Sequence, residues 1–190
     1  MTSDKHERAT ERVAEALLTI ESESRYSYDS IVMIQGDEPL VFPKMISEVL
    51  KPLMNSNHLV SNLISYLPTQ NDRDNPNNVK VVFSNDKNIL YLTREAIPSN
   101  KIFKNKIESY RQLGLIAFKS EALKRFISLE PSKLEIIESV DMNRFLENGI
   151  NIYSVITSFK VDSVDTPDDL LRVIKKMKID KLFSSYKGKI

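Results

Sequence analysis

Apolar strand-like segments alternate with helical segments along this chain, and the alternation limits the possible fold more than any other feature. The strand-like segments are short and rich in β-branched residues: 31–34, 59–67, 111–120 and 150–157, with a hairpin over 79–95. The helical segments carry an apolar stripe or begin at capping residues: 8–21, 43–54, 121–129, 131–147 and 166–183. Such alternation predicts an α/β domain of three layers, with helices on both faces of a mixed sheet. The polar segment 68–78 is predicted to be a loop.

The composition excludes several classes of protein. The chain has 190 residues, 41% of them hydrophobic, which suffices for one domain with its own core. Its 27 basic and 26 acidic residues are interleaved, so no basic face for nucleic acid is predicted. The absence of cysteine excludes disulfides and thiolate metal sites, and no run of about 18 apolar residues predicts a membrane span. The amino terminus lacks the apolar core of a secretory signal, so we expect a cytoplasmic protein.

Acidic side chains follow two of the apolar segments. Ile31–Ile34 leads directly into Gln-Gly-Asp-Glu-Pro, which contains Asp37, and Asp165 stands before the capping sequence Thr-Pro-Asp-Asp. Ligands of open α/β sheets collect at the carboxyl ends of strands, so both aspartates are expected at one cleft, after neighbouring strands. Two carboxylates facing one site repel each other unless a cation lies between them, and Mg²⁺ takes one or two protein carboxylates. A plain turn at 36–39 and a simple helix cap at 165–166 remain the alternatives.

Several motifs occur together in a fixed order. They are Q-G-D-E-P at 35–39, R-E-A-I-P at 94–98, L-G-L at 113–115, P-S-K-L-E at 131–135 and V-D-T-P-D-D-L at 164–170. In this order and spacing the chain resembles the 3-deoxy-manno-octulosonate cytidylyltransferase family, also called CMP-Kdo synthetase, over roughly residues 1–175. A single motif of this kind would be weak evidence, whereas the ordered set is specific.

The resemblance implies a fold, a reaction and a set of site residues. The fold would be that of nucleotide-diphospho-sugar transferases, with a mostly parallel sheet, in one domain over 1–190 that carries a hairpin lobe for homodimer formation at about 68–112. The reaction would transfer CMP from CTP to the eight-carbon acidic sugar Kdo, with release of pyrophosphate, for lipopolysaccharide precursor synthesis. Asp37 and Asp165 would be catalytic and hold Mg²⁺. The substrate-binding residues would be Arg12, Gln35, Arg94, Gln112, Glu138 and Arg144.

The chain also departs from the family pattern. The family's phosphate-gripping loop, P-A-R followed by R-L-P-G-K-P-L, has no counterpart here, so we expect a segment to be missing at the amino terminus. We then expect an exposed apolar edge at 31–34 and no CTP turnover by the isolated chain, unless residues such as Lys80 or Arg111 hold the phosphates.

Four further departures lie in the sugar-binding part of the family pattern. Gln112 replaces a histidine, Ile116 a tyrosine, and Asp141-Met142 a Glu-Gln pair. Two alternatives to Kdo activation stay open. These departures favour a cytidylyltransferase for another acidic sugar, and the missing phosphate-gripping loop favours a catalytically silent sugar-binding or dimerisation module.

Overall fold

The computed structural model describes residues 1–103 and 107–186. The strands in this part of the chain are β1 (Ser30–Ile34), β2 (Val60–Leu67), β3 (Lys80–Phe83), β4 (Ile89–Thr93), β5 (Ser109–Lys119) and β6 (Ile152–Ile156). The helices are α1 (Ala9–Ser24), α2 (Pro43–Asn55), α3 (Gln70–Asp74), α4 (Ser120–Phe126), α5 (Lys133–Glu138), α6 (Met142–Glu147), α7 (Pro167–Met177) and α8 (Lys181–Tyr186). Residues 104–106 of the predicted hairpin lobe lie outside the described residues.

The long strand β5 organises the sheet. One of its edges pairs antiparallel with β2. Its other edge pairs antiparallel with β3 at residues 110–111 and with β1 at residues 115–119. β4 extends the sheet beyond β3, and β6 pairs with β2 in parallel.

The predicted α/β class with a mixed sheet is confirmed, but the expectation of a mostly parallel sheet is wrong. Among the described strand pairs, only β2 with β6 is parallel. β1, β2 and β6 do run in one direction, as strand–helix alternation requires. The antiparallel β5 nevertheless lies between β1 and β2, and alternation along the chain cannot reveal such an insertion.

Helices pack on both faces of the sheet, which confirms the three layers. Alternate residues of β5 point to opposite faces, as the period of a strand dictates. Ile116 and Phe118 join a core with residues of α1, α4 and α6. Leu113, Leu115 and Ala117 join a second core with α2 and α7. β5 is therefore buried on both faces and forms the rigid base on which the loops at its edge are placed.

Three predictions of local structure are wrong. The helix predicted over 131–147 divides at Ser139, which adopts the left-handed conformation (φ 52°). Hydrogen bonds from β4 hold the preceding Glu138, and the turn brings Val140 and Met142 into the core. The helix predicted over 166–183 divides into α7 and α8. The predicted loop 68–78 contains the short helix α3, which Thr69 caps by accepting from the Asp72 N–H.

Strand β1 exposes fewer apolar side chains than the sequence predicted. β1 pairs with β5 along one edge, and no described strand pairs with the other. Of its apolar residues only Ile34 is exposed, at 44%, while Met33 is 2% exposed and lies in the core. The exposed apolar face expected over 31–34 is thus confined to Ile34. No helix within residues 1–103 and 107–186 combines the length and apolarity needed to cross a membrane.

Candidate active site

The loop after β1 is fastened to β5 by hydrogen bonds. The Gln35 N–H donates to the Gly114 carbonyl at 2.8 Å, which extends the β1–β5 pairing by one residue. The buried Glu38 carboxylate accepts from the Gly114 N–H at 2.9 Å and from the Ser163 hydroxyl at 3.0 Å. Burial raises the pKa of Glu38, although these two hydrogen bonds oppose the rise. The loop that carries Asp37 therefore has a fixed position on β5.

Gly114 is needed because of this close approach. A Cβ at residue 114 would lie 2.6 Å from Gln35 Oε1, 2.8 Å from Gln35 Cβ and 3.0 Å from Glu38 Cγ. Two of these distances are below those that real Cβ atoms show, so any side chain here would push the loop away from the strand. The glycine of the L-G-L motif thus has a packing role beneath the Q-G-D-E-P motif.

The segment after β6 brings Asp165 to the same place. This segment leaves the sheet at Ile156 and crosses to the β1 loop, where the Val164 N–H donates to the Asp37 carbonyl at 2.9 Å. Arg111 supports the crossing by donating from Nη2 to the Val161 carbonyl at 2.7 Å. Asp37 and Asp165 consequently line one cavity of about 150 Å³. The expectation that they follow neighbouring strands is wrong, because β5 and β2 separate β1 from β6 and the extended segment covers that distance.

The two aspartates have the electrostatic character of a cation site. Both side chains are exposed, and neither carboxylate accepts a hydrogen bond or forms an ion pair with another described residue. The surrounding protein partly desolvates the Asp165 carboxylate even though the side chain reaches solvent, and this desolvation raises its pKa; the negative charge of Asp37 raises it further. No group of three or more His, Cys, Asp or Glu side chains in the described ranges is arranged to hold a metal. Two free carboxylates fit Mg²⁺, which completes its shell with water and substrate phosphate oxygens.

Three of the predicted substrate-binding residues line the same cavity: Gln35, Arg94 and Gln112. Arg94 is held by backbone carbonyls, with Nε donating to Glu138 O at 2.8 Å and Nη1 to Pro76 O at 2.9 Å. Gln112 donates from Nε2 to Asn62 Oδ1 at 2.7 Å. Of the predicted site residues, the cavity therefore brings together two carboxylates, one guanidinium and two amides.

The other three predicted residues have different surroundings. Arg12 donates to the carbonyls of Ser3 and His6 at the start of α1 and does not line the cavity. Glu138 lies behind Arg94 and accepts from its backbone N–H, so it positions that residue. Arg144 is 2% exposed and is paired with the buried Glu135 and the half-buried Glu11. The structure thus places Arg12, Glu138 and Arg144 away from the cavity, in supporting contacts.

Several cavity residues were not selected as site residues from the sequence. Asp141, Asn78 and Ser163 line the cavity with Arg111, which donates to the Asn78 side chain at 3.0 Å. Asp141 was noted only as a departure from the family's Glu-Gln pair, and nothing in the local sequence marks Asn78 or Ser163. A larger cavity of about 510 Å³ shares Asn78, Arg111, Ser163 and Asp165, so the two form one cleft.

Lys80 does not contribute to this cleft. Its side chain is buried, and Nζ donates to the carbonyls of Asn75 and Asn78 at 2.9 and 2.7 Å. Burial lowers its pKa. Of the two cations suggested from the sequence as phosphate ligands, only Arg111 faces the cleft.

Comparison with known proteins identifies the family. A family model described as cytidylyltransferase matches residues 1–152. The chain belongs to the cytidylyltransferase family. It is 37% identical over 177 residues to a 3-deoxy-manno-octulosonate cytidylyltransferase from Thermodesulfovibrio yellowstonii, covering 90% of this chain and 69% of the relative. It is 38% identical over 173 residues to an enzyme of that name from Chlorobium limicola, covering 90% and 68%.

Solved structures agree with this membership. A structure of CMP:2-keto-3-deoxy-manno-octonic acid synthetase complexed with CTP superposes with a TM-score of 0.82 at 27% identity. The match covers 94% of this cytidylyltransferase and 71% of the solved chain. A putative glucose-1-phosphate thymidylyltransferase from Bacillus anthracis, with a TM-score of 0.60 and 17% identity, shares the fold alone.

The departures from the family pattern divide into two groups in this cytidylyltransferase. Ile116 and Met142 are fully buried in the core and do not line the cavity. Gln112 and Asp141 do line it. Only the second pair is therefore placed to contact a molecule bound in the cavity.

Proposed function

We propose that this cytidylyltransferase transfers CMP from CTP to 3-deoxy-manno-octulosonate and releases pyrophosphate. The observation that carries the proposal is the cavity in which Asp37 and Asp165 face Gln35, Arg94 and Gln112. Relatives 37% and 38% identical to this chain bear the name of that activity. The expected site residues come from distant parts of the chain and line one cavity.

The cavity suits two anionic substrates. Arg94 and Arg111 supply positive charge, and a guanidinium with free N–H groups can grip the carboxylate of an acidic sugar. Asp37 and Asp165 would hold Mg²⁺, whose charge offsets that of the nucleotide phosphates when it is bound. Gln35 and Gln112 offer amide groups to sugar hydroxyls.

The reaction needs no covalent enzyme intermediate. The anomeric hydroxyl oxygen of the sugar attacks the α-phosphorus of CTP and forms the new P–O bond. The bond from the α-phosphorus to the bridging oxygen of the β-phosphate breaks, and pyrophosphate leaves with that electron pair. The hydroxyl proton passes to solvent. The task of the protein is then to align the two substrates and to stabilise charge on the phosphates.

A matched pair of substitutions tests the proposal. The chain is joined to a segment that carries the family's phosphate-gripping loop, and pyrophosphate release is measured with CTP, Mg²⁺ and a panel of acidic sugars. The unsubstituted protein is compared with Asp37→Asn and Glu38→Gln. Asp37→Asn should lower kcat by about 100-fold or more, because it removes one of the two exposed carboxylates that line the cavity and could hold the cation. Glu38→Gln should lower kcat less than about tenfold, because its Oε1 can still accept from Gly114 and Ser163.

The possible outcomes separate the hypotheses. Equal losses from both substitutions would contradict the assigned roles of Asp37 and Glu38. Turnover of an acidic sugar other than octulosonate would favour the alternative function, a cytidylyltransferase for another acidic sugar. The presence of Gln112 and Asp141 on the cavity supports that alternative. The absence of turnover with every sugar, by the folded chain joined to the phosphate-gripping loop, would contradict the proposed activity.

The proposed working form is a cytoplasmic homodimer. Apolar side chains are exposed in the hairpin lobe 68–112, where Leu90 on the edge strand β4 is 63% exposed. Ile102 and Phe103 of the same lobe are also exposed. A second copy of the chain would cover this apolar surface.

A further inference from the structure

Asn62 holds a fixed orientation inside the sheet. It is fully buried in β2, at a place where the β2–β5 register shifts and three residues of β5 lie opposite one of β2. Its Nδ2 donates toward the carbonyl oxygens of Leu63, Leu113 and Leu115 at 3.1, 3.0 and 3.1 Å. The flipped amide would place Oδ1 against these oxygens, which would be repulsive. The surrounding carbonyls therefore assign the two ends of the amide.

The orientation of Asn62 determines that of Gln112. Asn62 Oδ1 can only accept, so its neighbour at 2.7 Å must be the Nε2 amino group of Gln112. The Oε1 atom is then the free end of the Gln112 amide. No described residue donates to it, and Gln112 lines the cavity with Asp37 and Asp165. Because Asn62 occupies the amino end of the Gln112 amide, the acceptor Oε1 is the end that remains for a ligand in the cavity.

We infer that Asn62 is a positioning residue that fixes Gln112 as an acceptor, and that the ligand group bound by Gln112 is a hydroxyl that donates. The inference rests on the proposed function, which supplies the ligand, an acidic sugar. A sugar carboxylate has no hydrogen to donate and is directed instead to the donors of Arg94. The acceptor at residue 112 and the donors at residue 94 together set the orientation of the sugar.

The polarity of the amide pair can be measured without any ligand. In the uniformly ¹³C,¹⁵N-labelled chain, a long-range NMR experiment that detects coupling across hydrogen bonds should connect Gln112 Nε2 with Asn62 Cγ. The Asn62 side-chain protons should exchange slowly with water, because they are buried and bonded. A coupling from Asn62 Nδ2 to Gln112 Cδ would overturn the inference.

The role toward the sugar is tested by calorimetry of octulosonate binding in the presence of CMP and Mg²⁺. The sugar is compared with analogues in which single hydroxyls are replaced by hydrogen or by fluorine. For one hydroxyl, both replacements should weaken wild-type binding about tenfold, because neither hydrogen nor fluorine can donate. Gln112→Leu should bind the sugar and those two analogues with equal affinity. Gln70→Leu, on the exposed helix α3, is the control and should behave as the wild type.

The calorimetry and the NMR measurement test Gln112 and Asn62 separately. If the fluorine analogues bind the wild type as well as the sugar does, or if no analogue distinguishes the wild type from Gln112→Leu, the inference about Gln112 is wrong. If the wild type binds no octulosonate while the NMR coupling is present, the proposed substrate is wrong and the positioning by Asn62 stands. Replacing Asn62 itself is avoided, because three carbonyl oxygens depend on it.

Discussion

Replacement of Gly114 by alanine tests the contact between β5 and the loop that carries Asp37. The new Cβ would meet Gln35 Oε1 at 2.6 Å and Gln35 Cβ at 2.8 Å. The Oε1 atom can move by rotation of the side chain, but the Cβ of Gln35 moves only with the backbone. The loop must therefore shift by several tenths of an ångström. The shift would strain the Gln35 N–H bond to the Gly114 carbonyl and the Gly114 N–H bond to Glu38.

The expected magnitude follows from overpacking. An added methyl group in a well-packed site typically lowers the free energy of unfolding by about 1–3 kcal/mol. For a chain of this size, each kcal/mol corresponds to about 2–4 °C in Tm. Gly36→Ala is the matched control, because a Cβ at Gly36 meets nothing within 4 Å. It should change the unfolding free energy by less than about 0.5 kcal/mol.

Urea unfolding followed by circular dichroism measures both variants. Gly114→Ala should shift the midpoint to lower urea with an unchanged m value, since the folded area is the same. The same shift displaces Asp37, so the Mg²⁺ concentration needed for half-maximal activity should rise. Equal stabilities for the two alanine variants would refute the close approach of Gln35 to Gly114.

Two further predictions concern the buried ion pairs and the assembly. Arg144→Met should lower the free energy of unfolding at pH 7 by about 3–5 kcal/mol, because it leaves the buried Glu135 without its main partner. Arg172→Met is the control: it removes an exposed ion pair with Asp169 and should change the free energy of unfolding little. Burial would raise the pKa of Glu135, but Arg144 and the Ser132 N–H hold it below the usual value. The wild type therefore loses the stabilisation from this ion pair as the pH falls through the lowered pKa. The urea midpoints of the wild type and Arg144→Met should converge in acid. In sedimentation equilibrium the 21.8 kDa chain should behave as a dimer and Leu90→Asp as a monomer, and a monomeric wild type would contradict the proposed homodimer.

The sequence predicted element type well and sheet topology poorly. Periodicity and caps gave α1, α2 and the six strands, because these features depend on neighbouring residues. The insertion of β5 between β1 and β2 depends on pairing between residues such as Ile31 and Phe118, which no local pattern records. The break at Ser139 was missed for a similar reason. It depends on Glu138 being held by β4, a contact between positions more than 40 residues apart.

The candidate site shows the same division. Asp37, Asp165, Gln35, Arg94 and Gln112 belong to motifs, and the structure collects them on one cavity. The residues that the sequence did not mark depend on partners that are distant in the chain. The Ser163 hydroxyl donates to Glu38, for instance, and the segment that carries Ser163 is placed by the bond from the Val164 N–H to the Asp37 carbonyl. A contact between residues 125 positions apart leaves no local pattern in the sequence.

Glu38 shows why a site of this kind retains a feature that disfavours folding. Its side chain is 5% exposed, and Oε2 is buried without a hydrogen-bond partner among the described residues. A buried, half-satisfied carboxylate destabilises a protein, and an apolar residue of similar size would often be tolerated better. An apolar residue could not, however, accept simultaneously from the Gly114 N–H and the Ser163 hydroxyl. Those two bonds connect the β1 loop with β5 and with the segment after β6, and they thereby hold Asp37 and Asp165 side by side despite their mutual repulsion. The buried Glu38 carboxylate therefore lowers stability at a position where its two hydrogen bonds are needed to align the two aspartates.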